Sequence, residues 1–259
     1  MSVVAIILAR IGKFLLLFAA LAMLISFTQQ CLHHLGLIAK PVWLLDADVE
    51  KSVPTWLSVV LLFLAGVLLG LIASCERDLR SRRWRYWLVL AAGFLLMSLD
   101  EFLELHERIP LEIAEFFGLG QQERQILEWF PVPVAALSLL IFGRFLFGLP
   151  VPVRNWLILA GGLYCTGIVA VELVVNFVLA GIDHNTFSGA VLVTTEESFE
   201  LAGVLALLYA AGRYWLSLLE ALEFSFDAHL RPIPEPPLAL AIGPDAHTHR
   251  LSRWLDLRH

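Results

Sequence analysis

The sequence predicts an all-α, polytopic integral membrane bundle of about six transmembrane helices, with both termini in the cytoplasm. Three observations predict it. Of 259 residues, 59% are apolar and only 16% are charged, against about 25% charged in an average soluble domain. Six apolar stretches approach the roughly 20 residues needed to cross a ~30 Å hydrocarbon layer. Basic residues gather in every second connection, which is the pattern that holds short loops in the cytoplasm.

The first span is expected over 3–34, with Arg10 and Lys13 at a membrane edge. These bases follow the first apolar residues rather than precede them, so a cleaved signal peptide is not expected. A polar connection with Asp46, Asp48, Glu50 and Lys51 leads to the second span, 55–74. The next turn carries five arginines, Arg77, Arg80, Arg82, Arg83 and Arg85, and fixes the inner side. The third span is expected over 86–109, ended by Pro110. Residues 110–117 and 121–130 read as short amphipathic helices outside. The fourth and fifth spans are expected over 131–149 and 155–181, joined by a Pro-Val-Pro turn. The sixth covers 187–212, with Arg213 at the inner exit. Residues 1–226 would thus form the membrane domain. Residues 227–259, with Pro232, Pro234, Pro236 and Pro237, read as a stiff linker and cytoplasmic tail.

Within 100–107 an otherwise lipid-like run acquires Asp100, Glu101, Glu104, His106 and Glu107. Charge at the centre of a spanning helix costs about 2.5–3.5 kcal/mol on insertion scales, so intramembrane carboxylates are candidate functional groups. Asp100, Glu104 and Glu107 fall at i, i+4, i+7 on one helical face, while His106 points away from it. On the sixth span Glu196, Glu200 and Gly203 share a face, with Glu197 beside it. On the fifth, Gly161, Cys165 and Glu172 align. At 1.5 Å per residue these acids lie about 13–15 Å inside the outer helix ends. Gly161 and Gly203 are expected to let the polar faces approach closely.

A carboxylate-rich set with few histidines suits a hard divalent cation, Mg, Ca, Mn or Fe rather than Zn. The expected ligands are Asp100, Glu104, Glu107, Glu172, Glu196, Glu200 and His106. Glu101 and Glu197 are left as general bases toward metal-bound water, which would make the protein a membrane metalloenzyme for a lipid or apolar substrate. Two other readings use the same residues: an accessory subunit of a membrane complex, and proton or cation translocation. Cys31, Cys75 and Cys165 stand alone, so neither a disulfide framework nor a zinc ribbon is expected. Glu-x-x-His, His-Glu-x-x-His, nucleophile-elbow and phosphate-loop motifs are all missing from the sequence. The expected partners are the lipid bilayer and a protein met by the C-terminal tail, not nucleic acid. The expected location is a bacterial inner membrane or its equivalent, with the acids toward the periplasmic side.

Overall fold

The computed structural model describes residues 3–120, 131–171 and 186–230. Among these residues the chain is all-helical, without a strand. Helix α1 covers Val3–His34, a 3-10 turn covers Trp43–Leu45, and α2 covers Val53–Asp78. Helix α3 covers Trp84–Leu103 and α4 covers Leu105–Phe117. Helices α5 and α6 cover Pro131–Phe147 and Val151–Cys165. A π-helical segment, Thr166–Val171, continues α6, and α7 covers Phe187–Leu230. Three of the described helices, α1, α2 and α3, are long and apolar enough to cross a membrane. The expected helix over 121–130 and the second half of the expected fifth span, with Glu172, lie outside the described residues. So do residues 231–259 of the tail.

Helix α2 is the centre of the packing. Ser52 caps its N-terminus by accepting the Thr55 N–H, and Pro54 occupies the first turn, where a missing N–H costs nothing. Leu57, Leu61, Ala65, Leu69 and Ile72 then form one fully buried stripe. Helix α3 lies along α2 through Gly66, where an added methyl group would meet the Leu95 side chain and come within 3.1 Å of the Ala91 carbonyl oxygen. Trp87 and Ala91 of α3, with Leu201, Val204, Ala210, Ala211 and Tyr214 of α7, complete the same core. By contrast α1 is buried only on its second half, at Ala19, Ala22, Met23, Ser26, Gln29 and Gln30.

Two boundaries differ most from the sequence expectation. The third span does not reach residue 109: it ends at Leu103, because Glu104 takes the left-handed conformation, φ 58° and ψ 37°. The chain turns there, and Pro110 falls inside α4. Helix α7 does not stop near 212 but continues to Leu230, two residues short of Pro232. Nothing between Arg213 and Leu230 breaks a helix, since the stretch holds neither Gly nor Pro. At 1.5 Å per residue α7 is ~66 Å long, about twice the hydrocarbon thickness.

Helix α6 runs antiparallel to α7. Trp156 meets Tyr209 at 4.7 Å, Ala160 and Tyr164 meet Gly203, and Gly167 meets Glu196 and Glu200. A methyl group on Gly203 would sit 2.8 Å from the Tyr164 nitrogen and 2.9 Å from the Ala160 oxygen. The expected role of Gly203 in close approach therefore holds. That of Gly161 does not, because nothing lies within 4 Å of its added methyl. The packed face is Ala160, Tyr164 and Gly167, one residue round from the expected face.

Gly203→Ala must therefore push two backbones apart, at a cost of about 1–3 kcal/mol. Gly161→Ala should be neutral or stabilising by up to about 1 kcal/mol through helix propensity. Thermal unfolding of the two variants in detergent checks the contrast.

Candidate functional site

The site is assembled from the polar end of α1 upward. Ser26, Gln29 and Gln30 are buried and hold the α1–α2 connection by side-chain to backbone and side-chain to side-chain bonds. The Ser26 hydroxyl accepts the Ala47 N–H at 2.9 Å. The Gln29 amide closes a two-way pair with Val42, accepting its N–H at 3.0 Å and donating to its carbonyl at 3.3 Å. Gln30 donates to the buried Asp46 carboxylate at 2.7 Å. Every one of these groups would be costly to bury unpaired. His34, at the end of α1, packs edge-on against Phe187 at 5.6 Å. The end of α1 and the start of α7 therefore lie together.

The clamped connection delivers Glu50 and Lys51 to the end of α3. Lys51 has φ 65° and Glu104 has φ 58°, and their side chains pair at 3.6 Å. Arg108 donates to Glu104 Oε2 through Nε at 3.0 Å and a terminal nitrogen at 2.6 Å. Left-handed backbone is unusual for a non-glycine residue, and at Glu104 it accompanies pairing with two cations. The Arg108 hydrogen bonds hold the Glu104 carboxyl below its ordinary value of 4.5, with Arg108 and Lys51 charge attraction adding to the effect against a smaller desolvation. Glu104 is thus a junction ion-pair residue. The expected Asp100–Glu104–Glu107 face is broken, because Glu104 leaves the helix that carries Asp100. His106 and Glu107 follow on α4, and their side chains lie outside the described set.

The remaining acids converge from separate elements. Glu101 on α3 and Glu196, Glu197 and Glu200 on α7 are half-buried. Glu197 lies within electrostatic reach of Glu200, Glu101, Glu196 and Glu50. The Tyr164 hydroxyl of α6 lies within hydrogen-bonding reach of Glu200. Glu101 stands only two residues before the end of α3, whereas Glu196 is nine residues into α7. The level of the cluster is about 3 Å from one helix end and about 13 Å from the other. The common depth expected from sequence rested on carrying the third span to residue 109. Asp100 is half-buried beside Glu101, and Glu172 lies outside the described residues.

Among the described residues no three His, Cys, Asp or Glu side chains are set to hold a metal ion. Two members of the cluster escaped sequence reasoning. Glu50 looked like a loop acid, and only the folded connection brings it over. Tyr164 carried a usable signal, standing at i+4 from Ala160 and three residues before Gly167 on a stripe of small residues. The π-helical segment after Cys165 lies opposite Glu196 and Glu200. Such segments are frequent at functional sites.

Acidification tests the Glu104 junction. Its folded carboxyl titrates below the unfolded value, so its contribution is complete above about pH 5 and is lost as pH falls through the folded value. Glu104→Gln should be less stable than wild type at neutral pH, and the gap in thermal midpoint should narrow as the pH falls below the ordinary carboxyl value of 4.5.

A comparison with known families gives one match: a family model described as a domain of unknown function (DUF8692) covers residues 8–213. No curated protein and no solved structure matches the chain. The match takes in α1 through the buried part of α7, with the acid cluster inside it, and the chain belongs to the DUF8692 family.

Proposed function

We propose that the chain is a six-span inner-membrane protein, with both termini cytoplasmic, whose outer-half carboxylates bind a hard divalent cation. The convergence of Glu101, Glu196, Glu197 and Glu200 beside Tyr164 is the observation that carries this reading. Carboxylates drawn together from α3 and α7 make a field suited to a cation. The orientation is supported by side-specific contacts. The ends of α1 and α3 share one side with the start of α7, whereas the arginine-rich α2–α3 turn lies on the other.

The described geometry narrows the type of cation. Without three protein ligands in place, a dehydrated, fully caged ion is a poor fit. Mg²⁺ keeps several waters and is held by one or two carboxylates, which Glu196 and Glu200 can supply. Asp100 and Glu172 are further ligands in this proposal. Glu101 or Glu197, unligated, would act as general base on a metal-bound water toward an apolar substrate. A second reading, an accessory subunit that docks a partner through 227–259, is favoured by one specific observation. Helix α7 continues 18 residues beyond the expected membrane exit at 212 and offers a helical stem for docking.

Calorimetric titration of detergent-purified protein with Mg²⁺, Ca²⁺ and Mn²⁺ separates the readings. Saturable binding, weakened about tenfold or more in Glu200→Gln and in Glu196→Gln, is expected for a cation site, since losing one ligand costs at least about 1.4 kcal/mol. Heats that do not saturate, or binding untouched by both variants, leave the accessory role.

A further inference from the structure

At the opposite end of the α2–α3 hairpin lies a cleft of about 370 Å³, lined by Arg77, Arg80, Ser81, Arg82, Trp84 and Arg85. Its volume falls in the ordinary range for small-ligand sites. We propose that this cleft binds the phosphate of an anionic phospholipid headgroup.

The cleft is formed by the way its arginines are held. Two guanidinium groups approach the Trp84 ring, Arg77 at 5.9 Å and Arg85 at 5.6 Å. These contacts hold two otherwise flexible side chains beside the cavity. Arg80 closes the turn in left-handed backbone, φ 58°, and directs the chain back toward α3. Arg83, exposed, reaches toward the Tyr214 hydroxyl, which itself donates to the buried Glu76. This anchor ties the turn to α7 and takes one acid out of the cleft's surroundings. Residues 76–85 hold five arginines against two acids, Glu76 and the exposed Asp78. Guanidinium forks match phosphate oxygens in pairs.

The membrane supplies the argument for a lipid over a soluble anion. The turn joins two helices long and apolar enough to cross a bilayer, so the cleft falls at a membrane boundary. Trp84 and the exposed Tyr86 are the residue types that sit at headgroup level. Leu88 and Val89 are exposed just beyond them along α3 and provide the apolar surface that acyl chains below a bound headgroup would cover. None of this depends on the acid cluster, so the two proposals stand or fall separately.

Native mass spectrometry of the full chain released from detergent tests the assignment, with phosphatidylglycerol or phosphatidylcholine added. Wild type should retain phosphatidylglycerol at least about tenfold more strongly, since clustered basic residues at the membrane surface attract anionic headgroups. The triple variant Arg77→Gln, Arg80→Gln, Arg85→Gln should lose the preference, while Arg154→Gln, outside the cleft, should keep it. Excess inorganic phosphate should leave the lipid bound. Equal retention of the two lipids by wild type overturns the proposal, whether or not the triple variant folds. So does a preference that survives in the triple variant. Complete displacement by inorganic phosphate reassigns the cleft to a free anion.

Discussion

At Gly203 the backbones of α6 and α7 come so near that a single methyl group would collide with the Tyr164 nitrogen and the Ala160 oxygen. Much of the site depends on that approach. In lipid, apolar surfaces gain little by leaving the solvent for each other, so association rests on close packing and polar contact. Gly203 supplies the first and Tyr164–Glu200 the second. One turn further on, Gly167 repeats the approach against Glu196 and Glu200. The acids of α7 are thereby held against a helix wall rather than left facing acyl chains.

The α2–α3 hairpin gives the molecule two chemically opposed ends. At one end, Lys51, Glu104 and Arg108 form an ion-paired junction next to the acids. Two of its members, Lys51 and Glu104, adopt left-handed backbone. At the other end, five arginines crowd a short turn, and Glu76 with Tyr214 fastens that turn to α7. Between them runs the buried stripe of α2. Trp87 is fully buried there, stacked on Tyr214 and edge-on to Phe145. Its indole N–H has no acceptor among the described residues, so aromatic packing is what holds the ring. The hairpin's ends are thus fixed by polar contacts and its middle by packing.

Helices whose limits are set by local chemistry were legible before the fold. The first helix ends at His34, where polar residues follow the long apolar run, as the sequence reading placed it. The second starts two residues earlier than expected, at the Ser52 cap. The third failed at Glu104 for a tertiary reason: the left-handed residue pairs with Lys51, 53 positions away in sequence. The choice of Gly161 failed for a geometric reason. Helical periodicity gives the spacing of a stripe but not which neighbour it faces, and one residue shifts a face by 100°.

The sequence by itself determined the all-helical, lipid-adapted character of the chain, the gathering of acids late in α3 and early in α7, and the basic α2–α3 turn. Composition and period suffice for these, since hydrophobicity and charge act locally. Tertiary structure alone decided which acids meet, that Glu50 and Tyr164 join them, and that Glu104 belongs to an ion-paired junction. It also decided that the exposed arginines of the turn line a common cleft. Each depends on where one backbone lies against another, through glycine contacts and buried hydrogen bonds between residues far apart in the chain.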